Sequence, residues 1–271
     1  DLSRGLVGSE MGIRDRIYAI CYGRSVRTRG ESFIGGDPHD GPMPMAYYIW
    51  LIRQQGRLLV VDTGFDAMVA TKRNREFLIC PGAAIQQLGF DPQSVEDVVL
   101  THLHYDHAGN HHLFSRAKFH IQAAEMAYTT GPWMTHRHLR VGYGADDVKS
   151  MVDRLFAEKV VFHDGDIEIY PGVRLHKIGG HTDGLQVVCV DTDRGPVILA
   201  SDAAVFYETL EDGRPFPAAF HVGQELAGYG KLLELAGSVE HIVPGHDVAV
   251  MERYPEVLDG IAWRVDLPPI R

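Results

Sequence analysis

Cysteine is scarce in this chain. The three that occur, Cys21, Cys80 and Cys189, are odd in number and far apart, with no Cys-x-x-Cys pair. That leaves no basis for a disulfide framework and fits a reducing, cytoplasmic setting. No apolar run approaches the ~20 residues needed to cross a bilayer, and the opening residues Asp1, Leu2, Ser3 and Arg4 start no hydrophobic signal core. A soluble protein with no membrane partner is expected. Blocks of positive charge are also missing. Lys and Arg number 26 against 36 Asp and Glu, a net charge of −10, and the arginines scattered from Arg24 to Arg29 form no longer cluster, which argues against nucleic acid as a partner. No Pro/Ser-rich linker, charge block or low-complexity stretch divides the 271 residues. One domain, 1–271, is the expectation.

What is present is an ordinary core-forming composition, 45% hydrophobic, with alternating β and helical signals. Ala46 to Ile52 and Arg57 to Asp62 read as strands joined by the turn Arg53-Gln54-Gln55-Gly56. Gly82 to Leu88 has helical spacing with Gly89 as its stop, and leads to the short apolar run Val98-Val99-Leu100. Val173 to Ile178, Gln186 to Val190, Val197 to Ala200 and Ile242-Val243 read as strands, and Val222 to Ala236 as a helix ending at Gly237. The fold class is therefore mixed α/β with helices outside.

Four of these strands end on polar residues of one kind. Leu100 is followed by Thr101-His102, Ile178 by Gly179-Gly180-His181, Ala200 by Ser201-Asp202, and Val243 by Pro244-Gly245-His246. Rigid strand exits can hold such groups in fixed geometry. His102, His104, Asp106 and His107 place four donors in six positions. Imidazole is a common ligand of borderline metals, and carboxylate adds charge to hold a second cation. In an extended turn His102 and His104 point to one side, while Asp106 and His107 follow a bend. Ser94 to His102 and Ser238 to His246 share Ser-Val-Glu, two β-branched residues and a final His at equal spacing, a hint of two pseudo-symmetric halves.

His102-Leu103-His104-Tyr105-Asp106-His107-Ala108-Gly109, with Val61-Asp62-Thr63-Gly64 upstream and Gly180-His181-Thr182, Ser201-Asp202-Ala203 and Pro244-Gly245-His246 downstream, resembles the metallo-β-lactamase superfamily over about residues 45 to 250. Within it the chain is most similar to the N-acyl homoserine lactonase-like branch. The resemblance implies a four-layer αββα sandwich with two divalent metal ions at one edge. Zinc is the default, and His and carboxylate ligands also accept Mn, Fe or Co. It assigns His102, His104 and His181 to one metal, Asp106, His107 and His246 to the other, and Asp202 to both. Asp62 would accept a hydrogen bond from a ligand imidazole. The implied chemistry is opening of a lactone ring, of an N-acyl homoserine lactone or a related lactone, by a bridging hydroxide. Asp106 would steer the water or pass a proton to the leaving oxygen.

Asp202 counts against a true β-lactamase, and the acidic balance against the nuclease branches. The chain after His246 is too short for the helical C-terminal domain of glyoxalase II-type thioesterases. One departure concerns the Tyr that the best-known lactonases place three residues after the bridging Asp. Val205 stands there, and Tyr207 is the nearest alternative donor to a substrate carbonyl. Hydrolysis of another ester, cyclic amide or thioester is therefore a second expectation, and a diiron redox protein a third. The irregular segments Gly30 to Pro44 and Tyr128 to Lys149 are expected to shape the pocket or a homodimer contact. His111, His112, His120, His163, His176, His221 and His241 lack the strand-exit context and are expected to be surface or structural residues.

Overall fold

The computed structural model describes residues 16–270. β1 (Arg16–Thr28) and β2 (Pro42–Gln54) run antiparallel, and β2 turns into β3 (Arg57–Val61). The turn residues Gln55 and Gly56 both have positive φ, 48° and 84°, as a two-residue hairpin turn of matching twist requires. β4 (Glu76–Phe77), β5 (Asp97–Val99), β6 (Lys118–Gln122) and β7 (Val160–His163) follow, interleaved with helices. The second sheet then forms from β8 (Ile167–Tyr170), β9 (Val173–Lys177), β10 (Gln186–Thr192), β11 (Gly195–Ser201) and β12 (Ile242–Pro244). β13 (Glu256–Leu258) and β14 (Ala262–Arg264) return to the first. The sheet orders are β13-β14-β1-β2-β3-β5-β6-β7, with β4 also on β1, and β12-β11-β10-β9-β8.

Side-chain alternation decides how these sheets stack. Ile17, Ala19 and Cys21 of β1 and Tyr48, Trp50 and Ile52 of β2 pack with Val173, Leu175, Val188 and Leu199 of the second sheet. The intervening residues Tyr18, Ile20, Ile49 and Leu51 face outward onto helical residues such as Ala70, Ile85 and Met151. On the other side, Val187, Cys189 and Ile198 meet Tyr229 and Leu232 of the helix Val222–Ala236. Three apolar interfaces separate four layers, helix, sheet, sheet, helix. Each fully buried aliphatic side chain in them contributes ~1.5–3 kcal/mol.

Two segments differ from the sequence expectation. β2 begins at Pro42, inside the stretch read as irregular, and pairs there with β1 (Thr28 with Pro42, Val26 with Pro44). β3 pairs only with Trp50–Gln54, so this end of β2 is an edge, where proline's missing N–H costs no ladder bond. Tyr128–Lys149 is a series of short helical pieces, including Arg137–Arg140 and the start of the helix Ala145–Phe156. Its composition hid them because no piece is long enough to show a period.

Asp147 lies in the first turn of that last helix, where the helix dipole favours a carboxylate. Burial nevertheless pushes it up to about 6, with Asp146 adding to the shift. A raised folded-state value means that the protonated form is favoured by folding, so its contribution is present below the ordinary value of 3.8 and is lost as pH rises through about 6. Asp147→Asn should therefore raise the melting temperature at pH 8 by a few degrees, about 1 kcal/mol after solvent screening, and leave it unchanged at pH 4. Scanning calorimetry at the two pH values checks this.

Candidate metal centre

The C-terminal ends of β5, β9, β11 and β12 open on one edge of the sandwich, and each is followed within a few residues by a donor: His102, His181, Asp202 and His246. After His102 the chain enters the short helix Tyr105–Ala108, with His104 at its N-terminal boundary and Asp106 and His107 inside it. That helix is anchored from behind. Tyr22 donates its hydroxyl hydrogen to the Asp106 carbonyl at 2.5 Å, and the Thr63 N–H donates to the His107 carbonyl at 2.7 Å. Gly180 brings His181 in at φ 88°, and a Cβ there would lie 2.5 Å from the Glu225 backbone nitrogen, so only glycine fits.

The seven side chains converge as two groups. His102, His104, His181 and Asp202 form one, and Asp106, His107 and His246 the other, with the donor atoms of each group within 4.8 Å of one another. His104 Nδ1 is 3.0 Å from both His102 Nε2 and His181 Nε2. Asp202 stands between the groups. Its Oδ2 is 3.0 Å from His181 Nε2, while its Oδ1 is 2.8 Å from His246 Nε2 and 3.3 Å from His107 Nε2. The Asp106 carboxylate lies 3.8 Å from His107 and 3.9 Å from His246. None of the seven is more than 9% exposed.

Buried polar atoms need partners, and here they lack them. His107 Nε2 has no hydrogen-bond partner, and three imidazole nitrogens meet where neutral rings cannot all pair. A cation satisfies several lone pairs at once, so this donor set fits two divalent metals. The rear nitrogens are fixed accordingly. His107 Nδ1–H donates to Asp62 Oδ2 at 2.7 Å, and His246 Nδ1–H to the Ala46 carbonyl at 2.9 Å. His102 Nδ1 meets Thr101 Oγ1 at 3.1 Å, and that hydroxyl reaches the Asp62 carboxylate. Each contact leaves Nε2 of the same ring as a lone pair aimed at the centre. Asp62 itself is held at φ 62°, a conformation that a non-glycine residue adopts at a cost of about 1 kcal/mol or more.

Burial, then the neighbouring imidazoles, lowers His102 and His104 well below the ordinary histidine range. They stay neutral, the ligating form. Burial alone would lift Asp202, but His246, His107 and His181 hold it well below the usual carboxylate range. The charge that two cations would meet is thus in place.

The sequence pattern of the metallo-beta-lactamase superfamily matches residues 43–246, three quarters of the chain and all seven donors. The chain belongs to this superfamily. Among its relatives, an N-acyl homoserine lactonase of Bacillus cereus is 30% identical over 166 residues, 60% of each chain. One from Bacillus sp. is 29% identical over the same share. The chain thus spans 60% of the length of these relatives. The fold matches a solved quorum-quenching N-acyl homoserine lactone lactonase with a TM-score of 0.71 at 24% identity, covering 89% of this chain and 95% of that one. It also matches an N-acyl homoserine lactone hydrolase bound to N-hexanoyl-L-homoserine, with a TM-score of 0.72 at 22% identity over 88% and 96%.

In this superfamily member five of the seven donors, His104, Asp106, His181, Asp202 and His246, floor an open cavity of about 200 Å³. Met45, Tyr47, Tyr105, Tyr128, Leu139 and Phe216 are among its walls. Arg27 and Met45 flank the segment Gly30 to Pro44, which itself contributes no wall, whereas Tyr128, His138, Leu139, Val141 and Gly142 of the second irregular segment do. Tyr207 is not brought to the site. Its ring is buried in the layer between the sheets under the Arg253 guanidinium, 3.8 Å from the ring centroid, and its hydroxyl has no hydrogen bond of ordinary geometry. The chain turns after Asp202 into the helix Tyr207–Asp212, which carries this phenol away from the cavity. Tyr207→Phe should therefore change stability by less than about 0.5 kcal/mol and activity by less than about twofold. Chemical denaturation and steady-state kinetics check both.

Glu125 escaped the sequence reading. It is fully buried and accepts from four donors: the Leu103 N–H at 3.0 Å, the Tyr143 hydroxyl at 3.1 Å, the Thr182 hydroxyl at 2.7 Å and the Gly184 N–H at 3.1 Å. It ties the His102–His107 loop to the loop carrying His181. Seven of the ten other histidines serve elsewhere: His120 pairs with Asp97 and His163, His176 with Asp166, His221 caps the helix Val222–Ala236, His241 bonds the Ala236 carbonyl, and His111 packs on Phe119, while His112 is exposed.

Proposed function

We propose that this protein is a dinuclear metal-dependent hydrolase that opens a lactone ring. The observation that carries the reading is Asp202, whose two oxygens address two separate imidazole groups at the floor of an open cavity. The names of the lactonase relatives support the substrate class. His102, His104 and His181 would hold one cation, Asp106, His107 and His246 the other, and Asp202 both, with zinc the metal proposed. When bound, such a pair supplies Lewis acidity toward a carbonyl oxygen and a nucleophile from water near neutral pH.

The chain's own residues supply the rest. Asp106, beside His107 and His246, is placed to take a proton and return it to the leaving oxygen. The phenol sought at Tyr207 is available from Tyr47, on the cavity wall with its ring 5.2 Å from that of His246. Burial raises the Tyr47 hydroxyl, so it stays a protonated donor toward a developing oxyanion. The aromatic walls give the reacting face an apolar surround. Three unpaired cysteines support a reducing cytoplasmic setting, and no helix of the described residues is long and apolar enough to cross a membrane.

The test is a panel of lactones, neutral and acid-bearing, followed by pH-stat with metal-loaded protein. Turnover exceeding that of matched linear esters, thioesters and cyclic amides is expected. If no lactone is opened, the reading fails, and the alternative with the highest rate replaces it. Elemental analysis with an optical spectrum separates a colourless zinc pair from coloured iron.

A further inference from the structure

We propose that the cavity recognises a compact substrate bearing an anionic group, a carboxylate or phosphate, held by Arg27, Arg73 and Arg75. The inference rests on the hydrolase reading for what happens to that substrate, and on the cavity alone for its charge. These three arginines come from the end of β1, the last turn of the helix Ala67–Arg73 and the approach to β4, yet all line the same cavity as the metal donors. Two of them share one platform. The Arg73 guanidinium lies 3.8 Å from the centroid of the Tyr105 ring and Arg75 Nε donates to the Tyr105 hydroxyl at 3.1 Å, while Arg27 sits 4.9 Å over the ring of Phe216, another wall of the cavity.

Such clustering is unexpected in a chain of net charge −10. Several arginines elsewhere meet a carboxylate, Arg29 and Arg214 at Glu208, Arg174 at Asp191 and Arg264 at Asp266, while others, such as Arg154 and Arg194, bond backbone carbonyls. Among the described residues, none of the three cavity arginines lies in an ion pair. Arg27 gives one hydrogen bond to the Glu31 carbonyl, and Arg73 gives two, to the Val141 and Tyr143 carbonyls. A guanidinium has five donors, so most remain for a ligand. Burial, with the Arg75 charge adding to it, lowers Arg27. Against its burial, Arg75 is instead raised, with Asp106 among the causes, so the desolvated Arg27 is the guanidinium whose burial an anion would offset. At about 200 Å³ the cavity is also below the ~300–1,000 Å³ of pockets for drug-sized ligands, which favours a short, charged molecule over a long acyl chain.

Calorimetry on the metal-loaded protein tests this with glutarate and its monomethyl ester. Both offer a carboxylate to the cations, and only glutarate carries a second charge. Glutarate should bind at least about tenfold tighter. That advantage should fall below about threefold in Arg75→Gln and Arg27→Gln and be partly kept in Arg75→Lys, with circular dichroism reporting the fold. 3-Phosphonopropanoate separates the two sources: tighter binding than glutarate assigns the arginines to a phosphate, weaker binding to a carboxylate. A five-membered lactone with a carboxylate on its ring should be preferred over its methyl ester in kcat/KM, mainly through KM. Equal binding of glutarate and its monoester overturns the anion site, and lactone turnover in the same preparation leaves the lactonase reading standing. Charge-dependent binding with no lactone opened does the reverse.

Discussion

Asp202→Asn is expected to lower metal content below about half that of the unaltered protein and activity on the order of a hundredfold or more. The carboxylate touches both imidazole groups, at 3.0 Å on one side and 2.8 Å on the other. An amide keeps the shape but removes one negative charge from a buried site, and turns one acceptor into a donor facing imidazole nitrogens. The fold should persist, because the three apolar interfaces do not include this side chain. Elemental analysis, circular dichroism and turnover of the best substrate are the measurements. Two metals per chain with nearly unchanged catalysis would show that Asp202 does not bridge.

Glu125→Ala is expected to destabilise the protein by roughly 3–5 kcal/mol, because four donors lose a buried acceptor together. Burial raises the Glu125 carboxyl, and its four hydrogen bonds oppose that shift. Glu125→Gln retains one acceptor oxygen and should fall between the two proteins. The Gly184 N–H and Thr182 hydroxyl depend on the same carboxylate as Leu103, so metal affinity should fall along with stability. Urea unfolding and a metal titration separate the two effects. A loss under about 1 kcal/mol in the alanine variant would mean that the two loops are held by other contacts.

The two variants also mark where the sequence is readable. Asp202 is visible because its signal is local: a β-branched run, a small residue and a carboxylate, repeated in kind at His102, His181 and His246. The four donors between 102 and 107 are more visible still, since density over six positions needs no knowledge of the fold. Glu125 carries no such mark. Its partners lie at 103, 143, 182 and 184, and only the docking of two loops brings them together. Tyr207 misled for the converse reason. Closeness to Asp202 in sequence suggested closeness in space, whereas the turn after Ser201, at φ 46°, sends the chain back into the inter-sheet layer. The phenols that do line the cavity, Tyr47, Tyr105 and Tyr128, come from β2, the helix after His104 and the helix Ala123–Thr130. Strands such as Ala46 to Ile52 and Gln186 to Val190 are legible as apolar runs. β1 and β6 escape that test although both their faces are buried, and the start of β2 is masked by prolines that an edge tolerates.

Each donor group draws on both sheets, and this sets a schedule during synthesis. His102, His104, Asp106 and His107 leave the ribosome first, but neither group is complete until later strands dock: the first needs His181 and Asp202, the second His246. His246 follows His107 by 139 positions (246 minus 107), so the nascent chain spends roughly 7–28 s at ~5–20 residues per second with the second group incomplete. If the two groups hold metal as proposed, capture during that interval would be weak and reversible, and tight capture would wait for the second sheet. Metal uptake followed on stalled chains of increasing length would then rise in two steps, after residue 202 and after residue 246, and so time the closure of the sandwich.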